Sequence, residues 1–452
     1  MRVTGEDRNI IKLLKGFIRR LKPATPQKTT PQIIPRAKHT ISRKHINPNA
    51  LKVLYRLNSG GYKAYLVGGC VRDLLLDYKP KDFDIATDAR PEEIQRLFRN
   101  CRLIGKRFRL AHIIFGKEII EVATFRTHHK NATHEQHAKM QQGMIIRDNV
   151  FGEIEDDAWR RDFSINALYY DIADFSVVDY VNGMHDIQHK ILRIMGNPEE
   201  RYHEDPVRLL RAVRIMGKLD LKISQETERP IVPLRHLLQQ VSPARLFTEV
   251  VKFFQEGKTL ATFHLLQKYH LFAELFPETA AHLKNPSAQL LLEKALAASD
   301  QRKREEKSIS PAFLFAVFLW HPVSAHTTKN KSSGMPAYIA CENAIHHVFK
   351  KQLERLTIPK NMLAIVREVC LLQHRFEQRQ GKRPLRLMAS QRFRHAYDLL
   401  VLRAMSGEPV HEISEWWTVF IDAPEEKRLE ILKNTDRKSP RRKHSRPHHF
   451  KK

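Results

Sequence analysis

Leu66-Val67-Gly68-Gly69-Cys70-Val71-Arg72-Asp73-Leu74 and, a few residues on, Lys81-Asp82-Phe83-Asp84-Ile85-Ala86-Thr87 decide the fold of this chain. The first stretch runs an apolar strand into two glycines and then into a helical pattern. Paired glycines let backbone approach a ligand closely, and the helix behind them offers N–H groups to phosphate oxygens. Arg72, one turn into that helix, can reach the same phosphates. Alone, such a turn is equally a tight strand-to-helix connection. In the second stretch Asp82 and Asp84 share one face of a strand while Phe83 and Ile85 share the other. Two carboxylates on one face beside a phosphate-binding turn are costly unless cations neutralise them. A pair of Mg²⁺ ions about 3.5–4 Å apart suits them, one lowering the pKa of an attacking hydroxyl and the other holding a triphosphate and stabilising the leaving pyrophosphate. Without the glycine turn, the same acids would equally be the solubilising face of an edge strand.

Working outward, residues 47–180 mix helix with short β-rich runs (AYLVGG, DFDIAT, HIIFG, EIIEVATFR, FSVVDYV), each bounded by glycine or polar residues. After about residue 185 long helical patterns take over: Asp205 to Leu219, Ala244 to Leu275, Pro311 to Trp320, Ala340 to Leu356, Asn361 to Gln380 and Arg392 to Met405. The expected class is α+β: a head with a mixed sheet and helices over 47–180, a helical neck over 181–280 and a helical body over 281–435. The charged run Gln301 to Lys307 reads as a connector between helical subdomains. Residues 1–46, with Pro23, Pro26, Pro31 and Pro35, read as a basic flexible extension, and 436–452 as a basic disordered tail.

The 452 residues, 42% apolar and 28% charged, exclude a fibre, a disulfide miniprotein and a membrane bundle. The net charge is +28, which favours an anionic partner such as nucleic acid. Residues 1–50 carry +10 and residues 436–452 carry +7, leaving +11 for the 385 between them. Such basic ends act as sequence-blind tethers, so removing residues 436–452 is expected to weaken nucleic-acid binding and its salt dependence more than chemistry at the paired acids, as salt-titrated binding would show. Cys70, Cys101, Cys341 and Cys370 form no C-x-x-C pair, which fits a reducing cytoplasm. No apolar run is long enough to span a bilayer. Ile10 to Leu21 is amphipathic and basic, and a plain surface helix or one that contacts nucleic acid is favoured over a membrane-surface or transit-peptide reading.

Two further segments complete a resemblance. Arg160-Arg161-Asp162-Phe163-Ser164-Ile165-Asn166-Ala167-Leu168 is similar to an RRDFT-x-NAL motif, with Ser164 for the usual Thr, and Glu204-Asp205-Pro206-Val207-Arg208-Leu209-Leu210-Arg211-Ala212-Val213-Arg214 is similar to EDxxRxxRAxR. With the Gly-Gly turn and the D-x-D strand, the chain resembles the DNA polymerase beta-type nucleotidyltransferases, in the class that holds CCA-adding enzymes and bacterial poly(A) polymerases. The likeness runs from about residue 50 to 280 and more weakly beyond. It implies that Asp82 and Asp84, helped by Asp162, hold Mg²⁺. Gly68, Gly69 and Arg72 would take the triphosphate of ATP, Arg161 and Asn166 its ribose and phosphates, Asp205 and Arg208 the base without a template, and Arg211 a phosphate or sugar. Asp205 and Pro206 also make a good helix start that sets Asp205 and Arg208 on one face. Glu121, on the strand expected beside the D-x-D strand, is the rival third carboxylate.

Leu103 to Ile113 is similar to the segment that separates bacterial poly(A) polymerases from CCA-adding enzymes, and the tail SPRRKHSRPHHFKK is of a kind those polymerases carry. The expectation is template-independent addition of AMP to RNA 3′ ends, of mRNA and small RNAs, in the cytoplasm, promoting RNA decay alongside RNA-decay proteins. CCA addition to tRNA is the alternative within the class, and a non-catalytic RNA-binding protein the alternative outside it. The crowd of His128, His129, His134 and His137 is one residue short of a zinc motif and fits a loop near the primer. The pair His185-Asp186 lacks the further partners of a phosphohydrolase. Trp416 and Trp417 read as core, while Arg375, Arg379, Lys382, Arg383 and Arg386 with Phe376 fit an RNA channel or a solvated face equally.

Overall fold

The structure is a computed structural model that describes residues 30–105, 109–127, 138–141, 144–148 and 150–438. The amphipathic segment Ile10 to Leu21, Lys106 to Phe108, the four clustered histidines and the tail from residue 439 lie outside the described residues. The chain divides into two compact units between Gly196 and Asn197. The first therefore extends past the expected head boundary at residue 180.

The first unit is built on an eight-stranded mixed sheet. Its strands in chain order are β1 (Gln32–Ile34), β2 (Ala64–Val67), β3 (Asp84–Thr87), β4 (Cys101–Ile104), β5 (Leu110–Phe115), β6 (Glu118–Thr124), β9 (Leu168–Asp171) and β10 (Val177–Asp179), while β7 (Ala138–Gln141) and β8 (Met144–Asp148) pair separately as a hairpin. The spatial order is β1-β10-β9-β2-β3-β6-β5-β4, and β3 with β6 is a parallel pair among antiparallel neighbours. Helices α1 (Pro48–Ser59), α2 (Gly69–Leu75), α3 (Pro91–Leu97), α4 (Ile154–Arg160) and α5 (Gly183–Gln188) complete the unit. Asn47 caps α1 by accepting from the backbone N–H of Asn49 and Ala50, so the first helix opens where the sequence places it.

Two expectations change here. Residues 32–46 are part of the folded unit and not of a flexible extension. β1 pairs with β10, Ile34, Ile41 and Ile46 are buried, and Arg43 lies over the Phe175 ring at 4.5 Å. Spaced isoleucines among prolines carry neither a helical nor a strand period, which hid the edge strand. The central strand β9 was also invisible, because its residues read as the end of a chemical motif.

The second unit is helical apart from the two-residue strand Lys222–Ile223. It opens with α6 (Pro198–Glu204) and α7 (Val207–Leu219). The pattern expected as one run from Ala244 to Leu275 is three helices, Pro243–Gln255, Thr259–Lys268 and Leu271–Leu275. Gly257 at φ +79° and His270 at φ +58° take the left-handed conformation that ends a helix, and a Cβ on Gly257 would stand 2.6 Å from Lys303 Cγ. Gln301–Arg304 is no connector either; it forms the last turn of the helix Pro286–Arg304. Further on come Pro311–Ser332, which runs twelve residues further than its apolar stretch, Ala337–Leu353 and Phe393–Met405, both close to their expected bounds, Lys360–Gln373, which stops seven residues short of the expected Gln380, and His411–Asp422, for which no bounds were expected. Trp417 is fully buried and its indole N–H donates to Phe376 O at 2.9 Å. Phe376 itself is fully buried, which removes it from any RNA channel.

Candidate active site

Strand β2 ends at Val67, whose register partner on β3 is Asp84, so the glycine turn and the first acid of the strand leave the sheet side by side. Gly68 has φ +78° and ψ −135°, a conformation open to glycine and strained for any side chain, and it caps α2 without a side-chain bond. Two arginines stand at this turn. A Cβ on Gly68 would lie 3.5 Å from Arg161 Nη1, and one on Gly69 would lie 3.6 Å from Arg72 Nη2.

Arg72 does not stand out in solvent. It is 6% exposed, its Nε and Nη2 donate to Asp73 Oδ1 at 2.9 and 2.6 Å, and its Nη1 donates to Asn166 Oδ1 at 2.7 Å. Asn166 in turn donates to Asp162 Oδ1 at 3.0 Å. The guanidinium thus backs the glycine turn as a fixed charge and ties α2 to the Arg160–Leu168 motif. Behind Gly68, Asp157 gathers Arg161 Nε (3.1 Å), Arg161 Nη2 (2.7 Å) and the Tyr169 hydroxyl (2.8 Å) on one carboxylate oxygen. Burial works against the Arg161 charge, but Asp157 and then Tyr169 outweigh it and hold the guanidinium above its ordinary pKa. Asp73, Asp157 and Tyr169 were missed by sequence reasoning; in chain order they sit among other acids and aromatics with no period to single them out.

On β3 the alternation is as the sequence predicts: Asp82 and Asp84 are exposed, Phe83 and Ile85 buried. Asp82 lies just ahead of the regular strand, which begins at Asp84. Directly across from Asp84 on the parallel neighbour β6 is Glu121, also exposed. In-register residues of adjacent strands share a face, so Asp84 and Glu121 stand side by side on one face of this sheet, with Asp82 exposed two residues ahead of the strand. Asp162 has a different position: its Oδ1 accepts from the backbone N–H of Phe163 at 2.9 Å as well as from Asn166, which braces the turn that follows. Oxygen-only donors in such a cluster fit Mg²⁺.

The same motif is held from below. Ser164 Oγ donates to Asp186 Oδ2 at 2.5 Å, Arg193 Nε donates to the same oxygen at 3.1 Å, and a Cβ on Gly183 would meet Ser164 O at 2.4 Å. The His185-Asp186 pair therefore has a structural job, with Asp186 bracing the loop.

In the second unit Asp205 and Arg208 are committed to other partners than each other. Both carboxylate oxygens of Asp205 accept from Arg245 Nη2, at 3.0 and 2.9 Å. Arg208 Nη1 donates to Arg201 O at 2.7 Å and to Glu204 Oε2 at 3.1 Å. Asp205 ends α6 and Pro206 occupies the cap of α7, yet the Asp205 carboxylate still accepts from the backbone N–H of Val207 at 3.4 Å, so the expected capping is kept in part while the shared face gives way to a junction. One turn past Arg211 on α7, Arg214 pairs with Glu249 at 3.2 Å and with Glu256. Burial alone raises the Glu249 carboxyl, but Arg214 and Lys252 outweigh it and hold the group below its ordinary value of 4.5. Its folded pKa being depressed, its contribution is present above pH 4.5 and is lost as pH falls through the folded value. Glu249→Gln is therefore expected to lose less stability than the wild type between neutral pH and the acid range, in urea unfolding at both.

A glycine turn entering a helix beside a strand that opens on exposed acids, in a mixed sheet with helical domains following, defines a nucleotidyltransferase. Family models agree: residues 64–193 match the Poly A polymerase head domain, 220–283 the probable RNA and SrmB-binding site of polymerase A, and 333–449 the polymerase A arginine-rich C-terminus. The chain is 48% identical to the Poly(A) polymerase I of Salmonella typhimurium over 92% of its length and 91% of that protein's, and 42% identical to that of Haemophilus influenzae over 92% and 94%. It is 37% identical to the CCA-adding enzyme of Bacillus subtilis, over 50% of its own length and 55% of that protein's. Among solved structures, the Bacillus stearothermophilus CCA-adding enzyme in complex with CTP matches at TM-score 0.57 and 23% identity, covering 82% of this chain and 81% of that one, a likeness of fold. The chain belongs to the bacterial poly(A) polymerase I family. It is a polynucleotide adenylyltransferase, and among the described residues no helix is long and apolar enough to cross a membrane.

Proposed function

We propose that this chain extends RNA 3′ ends with AMP from ATP, without a template, using Mg²⁺ held by Asp82 and Asp84 with Glu121 as the third carboxylate. The observation that carries this is the register that sets Val67, Asp84 and Glu121 abreast, with the strained Gly68 turn next to the acids. Bound there, Mg²⁺ would make the RNA 3′-hydroxyl more acidic and neutralise charge on the departing pyrophosphate. The chain's own part is positioning. The Gly68-Gly69 backbone offers N–H groups to the triphosphate, Arg161 adds a charge held by Asp157, and Arg72 adds one from behind the turn. Asn166 sits between Arg72 and Asp162, so it keeps the turn and the motif loop in one register. For the base, Asp205 and Arg208 remain the proposed readers; the bonds to Arg201 O and Glu204 use only Nη1 of Arg208, which leaves the other edge of its guanidinium for a base. The cytoplasm, with RNA-decay proteins as partners, is the setting this activity suits.

The test supplies Mg²⁺ and each nucleotide singly, with a generic oligoribonucleotide and with tRNA lacking its 3′ end. Long extension of the generic RNA by ATP alone is expected. A stop after three additions on tRNA would instead mean CCA addition, and no product with retained RNA binding would mean a binding protein.

The third carboxylate is tested separately. Glu121→Gln is expected to lower turnover about 100-fold, near 2.7 kcal/mol of transition-state stabilisation, at unchanged melting temperature. Asp162→Asn keeps a carbonyl oxygen for Phe163 N–H and should stay within a few-fold. A reversal of those two results reassigns the role to Asp162.

A further inference from the structure

We propose that Glu278, His326 and His347 form a site for a divalent transition-metal ion, zinc above all, in the helical unit. The three come from three helices: Glu278 from Pro277–His282, His326 from Pro311–Ser332 and His347 from Ala337–Leu353. Each offers one ligand atom, and those atoms all lie within 4.8 Å of one another. His326 Nε2 is 3.7 Å from Glu278 Oε2, and the two imidazole rings are 4.4 Å apart between centroids. Metal–ligand bonds of about 2.0–2.1 Å in a tetrahedron put ligand atoms roughly 3.3 Å apart, so closing on an ion needs only small side-chain movements.

The ligand set selects the ion. Two imidazoles and one carboxylate suit zinc or its neighbours, whereas Mg²⁺ prefers oxygen alone, which separates this cluster chemically from Asp82 and Asp84. Glu278 and His326 are about 30% exposed and His347 is more open, leaving an entry path and a water for the fourth position. The backbone around the cluster is already fixed. Thr279, next to Glu278, donates its hydroxyl to Phe318 O at 2.9 Å; Asn330 Nδ2 donates to Ala340 O at 3.0 Å across the helix pair; and Gln352 Nε2 donates to Leu275 O at 2.9 Å. His282 Nδ1 lies 2.8 Å from Glu278 O. An ion here would add a clamp to three helices already joined by packing and these hydrogen bonds, and its binding free energy would add to folding. Nothing in the sequence could have marked the site, because its members are 48 and 21 residues apart and match no metal spacing.

The experiment strips the full-length protein with chelator, then titrates Zn²⁺ and, separately, Co²⁺, against the His326→Ala/His347→Ala variant. The variant subtracts binding by the other histidine-rich segments and by the acids on the sheet. The wild type is expected to take up one more equivalent of Zn²⁺, to show intense visible bands of tetrahedral Co²⁺ that the variant lacks, and to gain melting temperature with Zn²⁺ where the variant does not. Since the double variant could fold poorly, His347→Gln, a change at an exposed position, must also abolish the Co²⁺ bands at an unchanged far-ultraviolet spectrum. Equal stoichiometry and equal Co²⁺ spectra in all three proteins overturn the site and leave Glu278–His326 as a plain ion pair.

Discussion

Asp82→Ala and Asp84→Ala are each expected to cut AMP transfer by at least about a thousandfold, the scale of several kcal/mol of charge stabilisation at a metal-assisted phosphoryl transfer, while leaving RNA binding intact. The expectation follows from position. Both side chains are exposed, Asp84 at the start of a strand whose other face is core and Asp82 just ahead of it, so truncation leaves no cavity and little change in stability. Removing an acid also makes the surroundings more positive, which cannot weaken attraction to phosphate. A second readout comes from repulsion. Asp84 and Glu121 are opposed across β3 and β6, and like charges directly opposite destabilise a sheet. In chelator, Asp84→Asn should therefore melt no lower than the wild type, and Mg²⁺ should raise the melting temperature of the wild type more than that of the variant. Filter binding, single-turnover extension and thermal melts measure these in turn. Turnover near the wild-type rate in either alanine variant ends the two-carboxylate assignment.

The glycine turn and the acids were legible because each depends on a local rule: conformational freedom in one case and period-two alternation in the other. The helices of the second unit were legible by their period, but their ends were not, since Gly257 and His270 break the run through left-handed backbone that composition does not announce at a histidine. The partners of the motif residues were illegible for a different reason. Asp205 and Arg208 stand three apart and both carry charge, which invites a pair, yet Arg245, forty residues on, takes Asp205, and Glu204 takes Arg208. Arg72 offers the same lesson in the head. A guanidinium next to a phosphate-binding turn suggests direct contact, whereas Asp73 and Asn166 use its donors and turn it into a support. Spacing shows which side chains can meet on one element, and long-range contacts decide which of those meetings happen.

Asp157→Ala is expected to destabilise the head by about 3–5 kcal/mol, the cost of removing one partner from a buried ionic network. The side chain is 8% exposed, accepts from Arg161 twice and from the Tyr169 hydroxyl, and its other oxygen accepts from the Arg126 backbone N–H at 3.3 Å. Arg126 is itself buried and held below its ordinary pKa by that burial, with Asp157 the opposing influence. Alanine would leave both guanidiniums in a low-dielectric setting without this counter-charge, and for a unit of this size the loss corresponds to a fall of roughly 6–20 °C in melting temperature. Chemistry should suffer as well, because Arg161 Nη1 stands at the Gly68 turn only while Asp157 anchors the rest of the group. At a temperature where the variant is still folded, KM for ATP should rise more than kcat falls. Stranded charge and lost packing are told apart by Asp157→Ala/Arg161→Met. If the stranded guanidinium is the cost, the double variant melts higher than Asp157→Ala alone, though it does not recover ATP affinity. Should Asp157→Ala stay within about 1 kcal/mol of the wild type, water or a neighbouring acid is neutralising Arg161, and the network is not what fixes the turn.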